Sequence, residues 1–190
     1  MFRAGDTIEN PITGERLTFV QTASDTDGEV TLVEVTVQPD GFVAAAHVHP
    51  KQTEIFRIVS GRMGAKVGCE KLEAGPGEVL TIEPGVAHKF WNAGAEDLVF
   101  VAEVRPSLEW ESLIETMYSL AADGKTSKKG MPNPFRLAVI ARAHFDVVQL
   151  PVIPAWMQKT ALAMGAPLGK ALGYAPTYQP AGEPAYAPTA

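Results

Sequence analysis

Three of the four histidines in this chain, together with one glutamate, lie in two short segments rich in glycine. The segments are Gly41-x5-His47-x-His49-x4-Glu54-x6-Gly61 and Gly77-x5-Glu83-Pro84-Gly85-x2-His88-x3-Asn92. Residues two apart on a strand point to the same face, so His47 and His49 are expected to project together. Neutral imidazole binds Zn, Fe, Ni, Cu or Mn, and a carboxylate offsets part of the charge of the cation. The spacing therefore predicts a metal site inside a small β-barrel.

The first hundred or so residues have the composition of short strands. Runs rich in β-branched and apolar residues are closed by turn signals that contain glycine or proline. The strongest predicted strands are 31–37, 54–59, 78–82 and 97–104. Many short strands at regular spacing indicate an all-β sandwich or barrel.

Helical spacing replaces strand spacing after Arg105-Pro106. Ser107 is predicted to cap a first helix that ends at Asp123-Gly124. Asn133, followed by proline, is predicted to begin a second helix that runs to about residue 148. A third helical segment, 155–172, is predicted to be kinked or broken near its internal proline.

These patterns divide the chain into three predicted regions. Residues 1–106 form the barrel, residues 107–175 form a helical extension, and residues 176–190 form an extended tail rich in proline and alanine. The expected fold class is therefore mainly β, with one barrel and a C-terminal α-helical extension.

Composition narrows the range of partners and compartments. The net charge of −6 provides no basic surface for nucleic acid. Cys69 is the single cysteine, so it is expected to pack as a small apolar side chain in a reducing compartment. No signal-peptide pattern and no long apolar run is present, so we expect a cytoplasmic protein with no membrane span.

The two glycine-rich segments resemble the motifs of the cupin superfamily. The resemblance covers roughly residues 30 to 105, and one position departs from it, because Glu83 stands where the second motif has proline. It implies a single cupin barrel, which is a double-stranded β-helix or jelly roll. It also implies that four residues bind a divalent metal ion: His47, His49, Glu54 and His88. The helical extension is similar to one on uncharacterised bacterial single-domain cupins.

Strand alternation predicts an apolar pocket beside these ligands. Five apolar side chains are expected to face inward: Val43, Ala45, Phe56, Ile58 and Phe90. Such a pocket suits a small, partly apolar molecule that chelates the metal. Glu34 or Glu103 could enter it as a proton acceptor. His144 shares an apolar helix face and is expected to be a packed, hydrogen-bonded histidine.

Two functions are compatible with this site. The preferred hypothesis is a metal-dependent small-molecule enzyme, most plausibly a dioxygenase-like oxidoreductase, with an isomerase or lyase as other possibilities. Four protein ligands on an octahedral ion leave open positions for substrate, and the ion is expected to be Fe, Mn, Ni or Zn. The alternative is a non-catalytic or sensory module that binds a small ligand, with helices that contact a partner. In both cases a homodimer is expected, and no catalytic residue beyond the ligands is assigned.

Overall fold

The computed structural model describes residues 2–179, and these form a β-barrel with helices after it. The strands and helices are β1 Thr7–Asn10, β2 Glu15–Gln21, β3 Thr31–Val37, β4 Thr53–Ser60, β5 Met63–Val67, β6 Glu70–Ala74, β7 Val79–Ile82, β8 His88–Asn92, β9 Leu98–Arg105, α1 Trp110–Ala122, α2 Pro134–Ala143 and α3 Ala155–Ala171. A short 3₁₀ turn, Ala23–Asp25, precedes β3. The predicted fold class, mainly β with a C-terminal helical extension, is confirmed.

Two antiparallel sheets make up the barrel. The larger has the strand order β1-β2-β3-β9-β4-β7, and the smaller has the order β6-β5-β8. Strands that are distant in the chain are neighbours in the larger sheet, where β9 lies between β3 and β4. This pairing pattern wraps the chain around a shared interior instead of extending it as a simple meander.

Strand alternation fills the barrel interior with apolar side chains. On β3, Val33, Val35 and Val37 are buried while Glu34 is exposed, as expected for a strand with one face toward the core. Three phenylalanines, Phe56, Phe90 and Phe100, pack edge to face with ring centroids 5.3 to 5.7 Å apart. They form an aromatic layer across the interior.

The segment that carries His47 and His49 extends the smaller sheet. It pairs with β8 at two separate points, where Phe42 bridges to Trp91 and His47 bridges to His88. The chain bends between these points, at residues 44 and 45, so the segment is not a continuous strand. Its backbone hydrogen bonds nevertheless hold both histidines at the edge of β8.

Helix α1 begins later than the sequence predicts. Its N-cap is Glu109, and Ser107 does not cap it. The buried Ser107 hydroxyl instead accepts a hydrogen bond of 3.0 Å from Thr31 Oγ1, which ties the end of β9 to the start of β3. Leu108 then adopts a positive φ of 47°, so the helical conformation starts only after it.

Helix α2 begins as predicted and ends earlier than predicted. The Asn133 side chain accepts a hydrogen bond of 3.0 Å from the Arg136 backbone N–H, as an N-cap does. The helix ends at Ala143, because the chain then turns back to the barrel. There the backbones of Gln149 and Val48 exchange two hydrogen bonds of 2.9 Å.

Helix α3 is continuous through Pro167. Proline removes the hydrogen bond that would reach the carbonyl four residues earlier, at Ala163. That carbonyl instead accepts a long hydrogen bond of 3.5 Å from the Arg142 guanidinium on α2. Packing against α2 is close, because a Cβ on Gly169 would lie 2.4 Å from the Phe135 carbonyl oxygen.

Three further predictions concern the turns and the ends of the chain. Cys69 is exposed in the turn between β5 and β6, so the expectation that it packs in the core is wrong. The turn leaves no core position for a side chain there. Residues 180–190 of the predicted tail lie outside the described residues. Among the helices of the described chain, none is long and apolar enough to cross a membrane.

Gly61 closes the turn between β4 and β5, and its replacement should destabilise the barrel. It has a φ of +77°, and an added Cβ would lie 2.6 Å from the Asp97 carbonyl oxygen. We expect Gly61→Ala to lower the free energy of unfolding by more than about 2 kcal/mol, measured by chemical denaturation. Gly68→Ala is the matched control, because Gly68 also has a positive φ, of +59°, but a Cβ added there would meet no atom within 4 Å. It should cost about 1 kcal/mol. Equal losses would contradict the assigned backbone clash.

Candidate metal centre

Four side chains from three parts of the barrel converge on one point. His47 and His49 come from the segment paired with β8, Glu54 from β4, and His88 from the first position of β8. One ligand atom from each lies within 4.8 Å of the others. Three of the four residues are buried, and His47 is partly buried.

The three imidazoles are held through Nδ1. Backbone carbonyls lie 2.9 Å from His47 Nδ1, 2.5 Å from His49 Nδ1 and 3.0 Å from His88 Nδ1. These carbonyls belong to residues Ala45, Val147 and Val86, respectively. A carbonyl only accepts hydrogen bonds, so Nδ1 carries the proton in each ring. In the neutral form of each ring, the Nε2 lone pair is left free to bind a cation.

Glu54 provides the negative charge of the cluster. Its Oε2 lies 2.9 Å from His88 Nε2, and its Oε1 lies 3.4 Å from His49 Nε2. Burial alone would raise the pKa of this carboxyl. Attraction to His49 and the hydrogen bond from His88 outweigh burial and lower the pKa of Glu54 to about 2. The carboxylate is therefore ionised at neutral pH.

The neighbours of His47 and His88 have opposite effects on their pKa values. Burial, together with repulsion from His49 and His88, lowers the pKa of His47 to about 3, so this ring is neutral. For His88, burial also opposes the charged form, but the hydrogen bond to Glu54 raises the pKa above its usual value. His88 thus shares a proton with Glu54, and a bound cation would take the place of that proton.

The donor set fits a divalent metal ion. Two donors on one ion, each about 2.0 to 2.2 Å from it, are at most about 4.4 Å apart. The four ligand atoms lie within 4.8 Å of one another, so the most widely separated pair would have to lie on opposite sides of the ion or move closer together. His49 Nε2 is also buried without a hydrogen-bond partner, with Glu54 Oε1 3.4 Å away. Three imidazoles and a carboxylate are thus compatible with a divalent metal.

A large apolar cavity opens beside the cluster. It has a volume of about 520 Å³, and His47, His49 and Glu54 lie in its wall. Of the apolar residues expected to face inward, four also line it: Val43, Ala45, Phe56 and Phe90. Ile58 is buried in the core opposite Phe100 and does not line the cavity. Along β4, Phe56 lies between Glu54 and Ile58, and the cavity that Glu54 and Phe56 line does not extend to Ile58.

The acidic residues expected as cavity candidates lie elsewhere. Glu34 is exposed on the outer face of β3. Glu103 pairs on the outside of the sheet with Arg57, at 3.5 Å, and with Arg105. Likewise, His144 lies outside the cluster, buried with its Nδ1 3.0 Å from the Ile140 carbonyl oxygen.

The helices supply the part of the cavity wall that strand alternation could not predict. Trp110, Leu113 and Met117 of α1 line it together with residues of α2 and α3. Helical periodicity indicates that these α1 residues are turned inward, but not that a cavity separates them from the barrel. The extension therefore forms part of the candidate site.

Glu15 is the polar residue of the cavity that the sequence reasoning missed. It lies on β2 in the same phase as Leu17 and Phe19, and it is buried. Its Oε2 accepts a hydrogen bond of 2.7 Å from Thr13 Oγ1, and it also accepts one from the Tyr118 hydroxyl. Burial outweighs both donors and raises the pKa of Glu15 to about 7. The alternation along β2, which places Glu15 on the same face as Leu17 and Phe19, is the signal that could have identified Glu15 as a buried residue.

The raised pKa of Glu15 predicts a measurable pH dependence of stability. Between its ordinary pKa of 4.5 and about 7, the folded chain holds a proton that the unfolded chain has lost. Stability from this group is therefore present below pH 4.5 and is lost as the pH rises through 7, by up to about 3 kcal/mol. Among the neighbours of Glu15, Tyr118 on α1 is titratable. The residues paired with Glu15 on β1 and β3, Asn10 and Val37, are not.

Glu15→Gln should remove this dependence. We expect the difference in unfolding free energy between the native chain and the variant to change between pH 4.5 and 8, as followed by urea denaturation. The native chain should lose stability relative to the variant as the pH rises. A difference that stays constant over this range would contradict a buried carboxyl with a raised pKa.

Comparison with known proteins agrees with the architecture. A family model described as "Cupin domain" matches residues 33–103, a span that includes His47, His49, Glu54 and His88. No curated protein matches the chain.

Several solved structures are similar in fold. A predicted oxalate decarboxylase from Thermotoga maritima is 18% identical, with 56% of this chain and 98% of that chain covered and a TM-score of 0.49. An RmlC-like cupin from Shewanella frigidimarina is 15% identical. The match covers 58% of this chain and 93% of that chain, with a TM-score of 0.48. KdgF from Halomonas sp. is 16% identical, with 52% and 86% covered and a TM-score of 0.46. The match of a cupin domain model to residues 33–103 agrees with the two antiparallel sheets that make up the barrel.

Proposed function

We propose that the protein is a metal-dependent enzyme that acts on a small, partly apolar molecule able to chelate the metal. In this proposal His47, His49, Glu54 and His88 hold a divalent ion, which is Fe, Mn, Ni or Zn. The observation that carries it is the tether on each Nδ1. With Nδ1 of each ring bonded to a backbone carbonyl, Nε2 is the ring atom left to bind a cation in the cluster with Glu54, beside a cavity of about 520 Å³.

The residues around the cluster have distinct tasks in this proposal. A bound metal supplies Lewis-acid polarisation of a chelated oxygen and, as iron(II), electron transfer to dioxygen. The backbone carbonyls fix the tautomer and orientation of each imidazole, as partners of metal-ligating histidines do. Glu54 offsets part of the charge of the cation, and Phe56 and Phe90 provide an apolar surface for the body of the substrate.

The composition of the cavity favours an oxidoreductase of the dioxygenase type. In the described part of the chain, no lysine or arginine is among the residues that line it. A phosphate or sugar-acid substrate would find no lysine or arginine side chain beside the metal, whereas an apolar chelator such as a diketone or a catechol would fit. Apolar walls would also limit the access of water to reactive species. An isomerase or lyase that uses the same metal would need a proton carrier close to the ligands.

Metal content provides the first test of the proposal. The purified protein should bind one divalent ion per chain by inductively coupled plasma mass spectrometry and titration calorimetry. His47→Ala or Glu54→Gln should weaken binding by at least about 100-fold, because the first removes a direct ligand and the second removes the negative charge of one. His144→Gln is the control, since His144 is buried outside the cluster. The ligand assignment fails if the control and the ligand variants lose metal equally.

Turnover tests the enzymatic part of the proposal. The protein is reconstituted anaerobically with Fe(II), and oxygen uptake is then followed with catechols, β-diketones and flavonols. Uptake should depend on both the metal and the added compound, and it should be lost in Glu54→Gln. Turnover without oxygen uptake would indicate an isomerase or lyase. If no metal supports turnover of any compound, the enzymatic proposal is contradicted.

A second candidate is a non-catalytic module that binds a small ligand and uses its helices for dimer contacts. The observation in its favour is the apolar outer surface of α3, on which Trp156 is 70% exposed and Met164 is 66% exposed. Surface apolar clusters of this kind often mark interaction sites. Homodimerisation remains a proposal under either function.

Light scattering coupled to size-exclusion chromatography tests the dimer. The native chain should elute with twice the mass of its 20.3 kDa monomer. Met164→Glu should shift it toward the monomer, because the substitution places a charge in the proposed contact. Lys159→Glu changes the charge on the same helix and is the control. A native chain that is monomeric at all concentrations rules the dimer out.

A further inference from the structure

We infer that Glu15 is the anionic centre of a second binding subsite in the cavity, which takes the protonated amine of a ligand with an apolar body. The subsite consists of Glu15 with the hydroxyls of Thr13 and Tyr118. It requires no metal, so it can hold or fail independently of the metal-dependent function proposed above.

Strand register places this subsite at the opposite end of the sheet from the metal ligands. Glu15 pairs with Val37, which pairs with Leu98 on β9. Glu54 pairs with Val104, near the other end of the same strand. The path along β9 between Leu98 and Val104 is on the order of 20 Å at the usual rise per residue. The same cavity reaches both ends, so its two polar ends are separated by apolar wall.

The surroundings of Glu15 provide hydrogen bonds but no counter-charge. Thr13 and Tyr118 each donate one hydrogen bond, whereas an ionised carboxylate can accept about four. Within residues 2–179, no lysine, arginine or histidine forms an ion pair with Glu15. A buried carboxylate is costly unless a cation accompanies it, and a ligand that carries the cation would remove this cost.

The wall around the subsite selects the rest of the ligand. Leu17, Val35 and Met117 line the cavity with Glu15. An ammonium group attached to an alkyl or aryl body would place its charge against the carboxylate and its body against these side chains. The ligand class is therefore a small apolar amine.

The protonation of Glu15 adds a pH signature. With the pKa raised to about 7 by burial, the carboxyl is partly neutral at neutral pH. An alkylammonium ion binds the ionised form, so its affinity should increase as the pH rises from 6 to 8. Tyr118, whose own pKa is raised well above 10 by burial and by Glu15, stays protonated and remains a donor over this range.

Two probes that differ in one group test the subsite. Binding of n-octylamine and of octan-1-ol to the full chain is measured by titration calorimetry, with fluorescence from Trp110 in the cavity wall as a second signal. Octylamine should bind more tightly than octanol at pH 8. Glu15→Gln should weaken octylamine binding by about 30-fold or more, as expected for loss of a buried charge partner. Glu15→Gln should change the affinity for octanol by no more than about twofold, because glutamine retains the shape of the side chain and one acceptor oxygen.

Controls separate the subsite from the metal centre and from loss of folding. Glu103→Gln removes a carboxylate from the outer face of the sheet and should leave both affinities unchanged. Circular dichroism and the thermal midpoint establish that each variant is folded, and Tyr118→Phe should give a smaller loss than Glu15→Gln. Equal affinities for the two probes would overturn the inference. So would octylamine binding that is lost in His47→Ala but retained in Glu15→Gln.

Discussion

The pairing of His47 with His88 is the contact on which the candidate site depends. Their backbones exchange two hydrogen bonds, with His47 N–H to the His88 carbonyl at 3.0 Å and the reverse bond at 2.9 Å. This pairing joins two segments that are distant in the chain and sets both imidazoles at one sheet edge. Glu54, on the larger sheet, then lies across the interior from them. Without this pairing, the Nδ1 tethers would orient single rings and would not build a cluster.

The helical extension contributes to the same centre. The Val147 carbonyl holds His49 Nδ1, and the neighbouring Gln149 pairs with Val48, so the chain after α2 fixes part of the histidine segment. Gln158 on α3 in turn bonds the backbone of Leu150 through both ends of its amide. A chain of hydrogen bonds thus connects α3 with the segment that holds His49. The helical extension therefore both lines the cavity and supports one of the candidate ligands.

Local pattern and spacing predicted the features that depend on local chemistry. The sequence predicts a strand over 31–37, which agrees with β3, because β-branched alternation and the following turn define it locally. Contacts between distant segments could not be derived in this way. The support of His49 by Val147 depends on a backbone carbonyl, which has no sequence signature. Glu15 was missed because a charged residue on a strand usually faces solvent, and its burial requires the packing of Tyr118 from α1.

Anomalous diffraction from crystals of the purified protein tests the central claim most directly. Data collected on both sides of the absorption edges of iron, manganese, nickel and zinc identify the ion and locate it. The account predicts one peak per chain, about 2.0 to 2.2 Å from the Nε2 atoms of His47, His49 and His88 and from a Glu54 oxygen, with each Nδ1 still bonded to its carbonyl. A peak elsewhere, coordination through Nδ1, or no peak after soaking with each metal would contradict it.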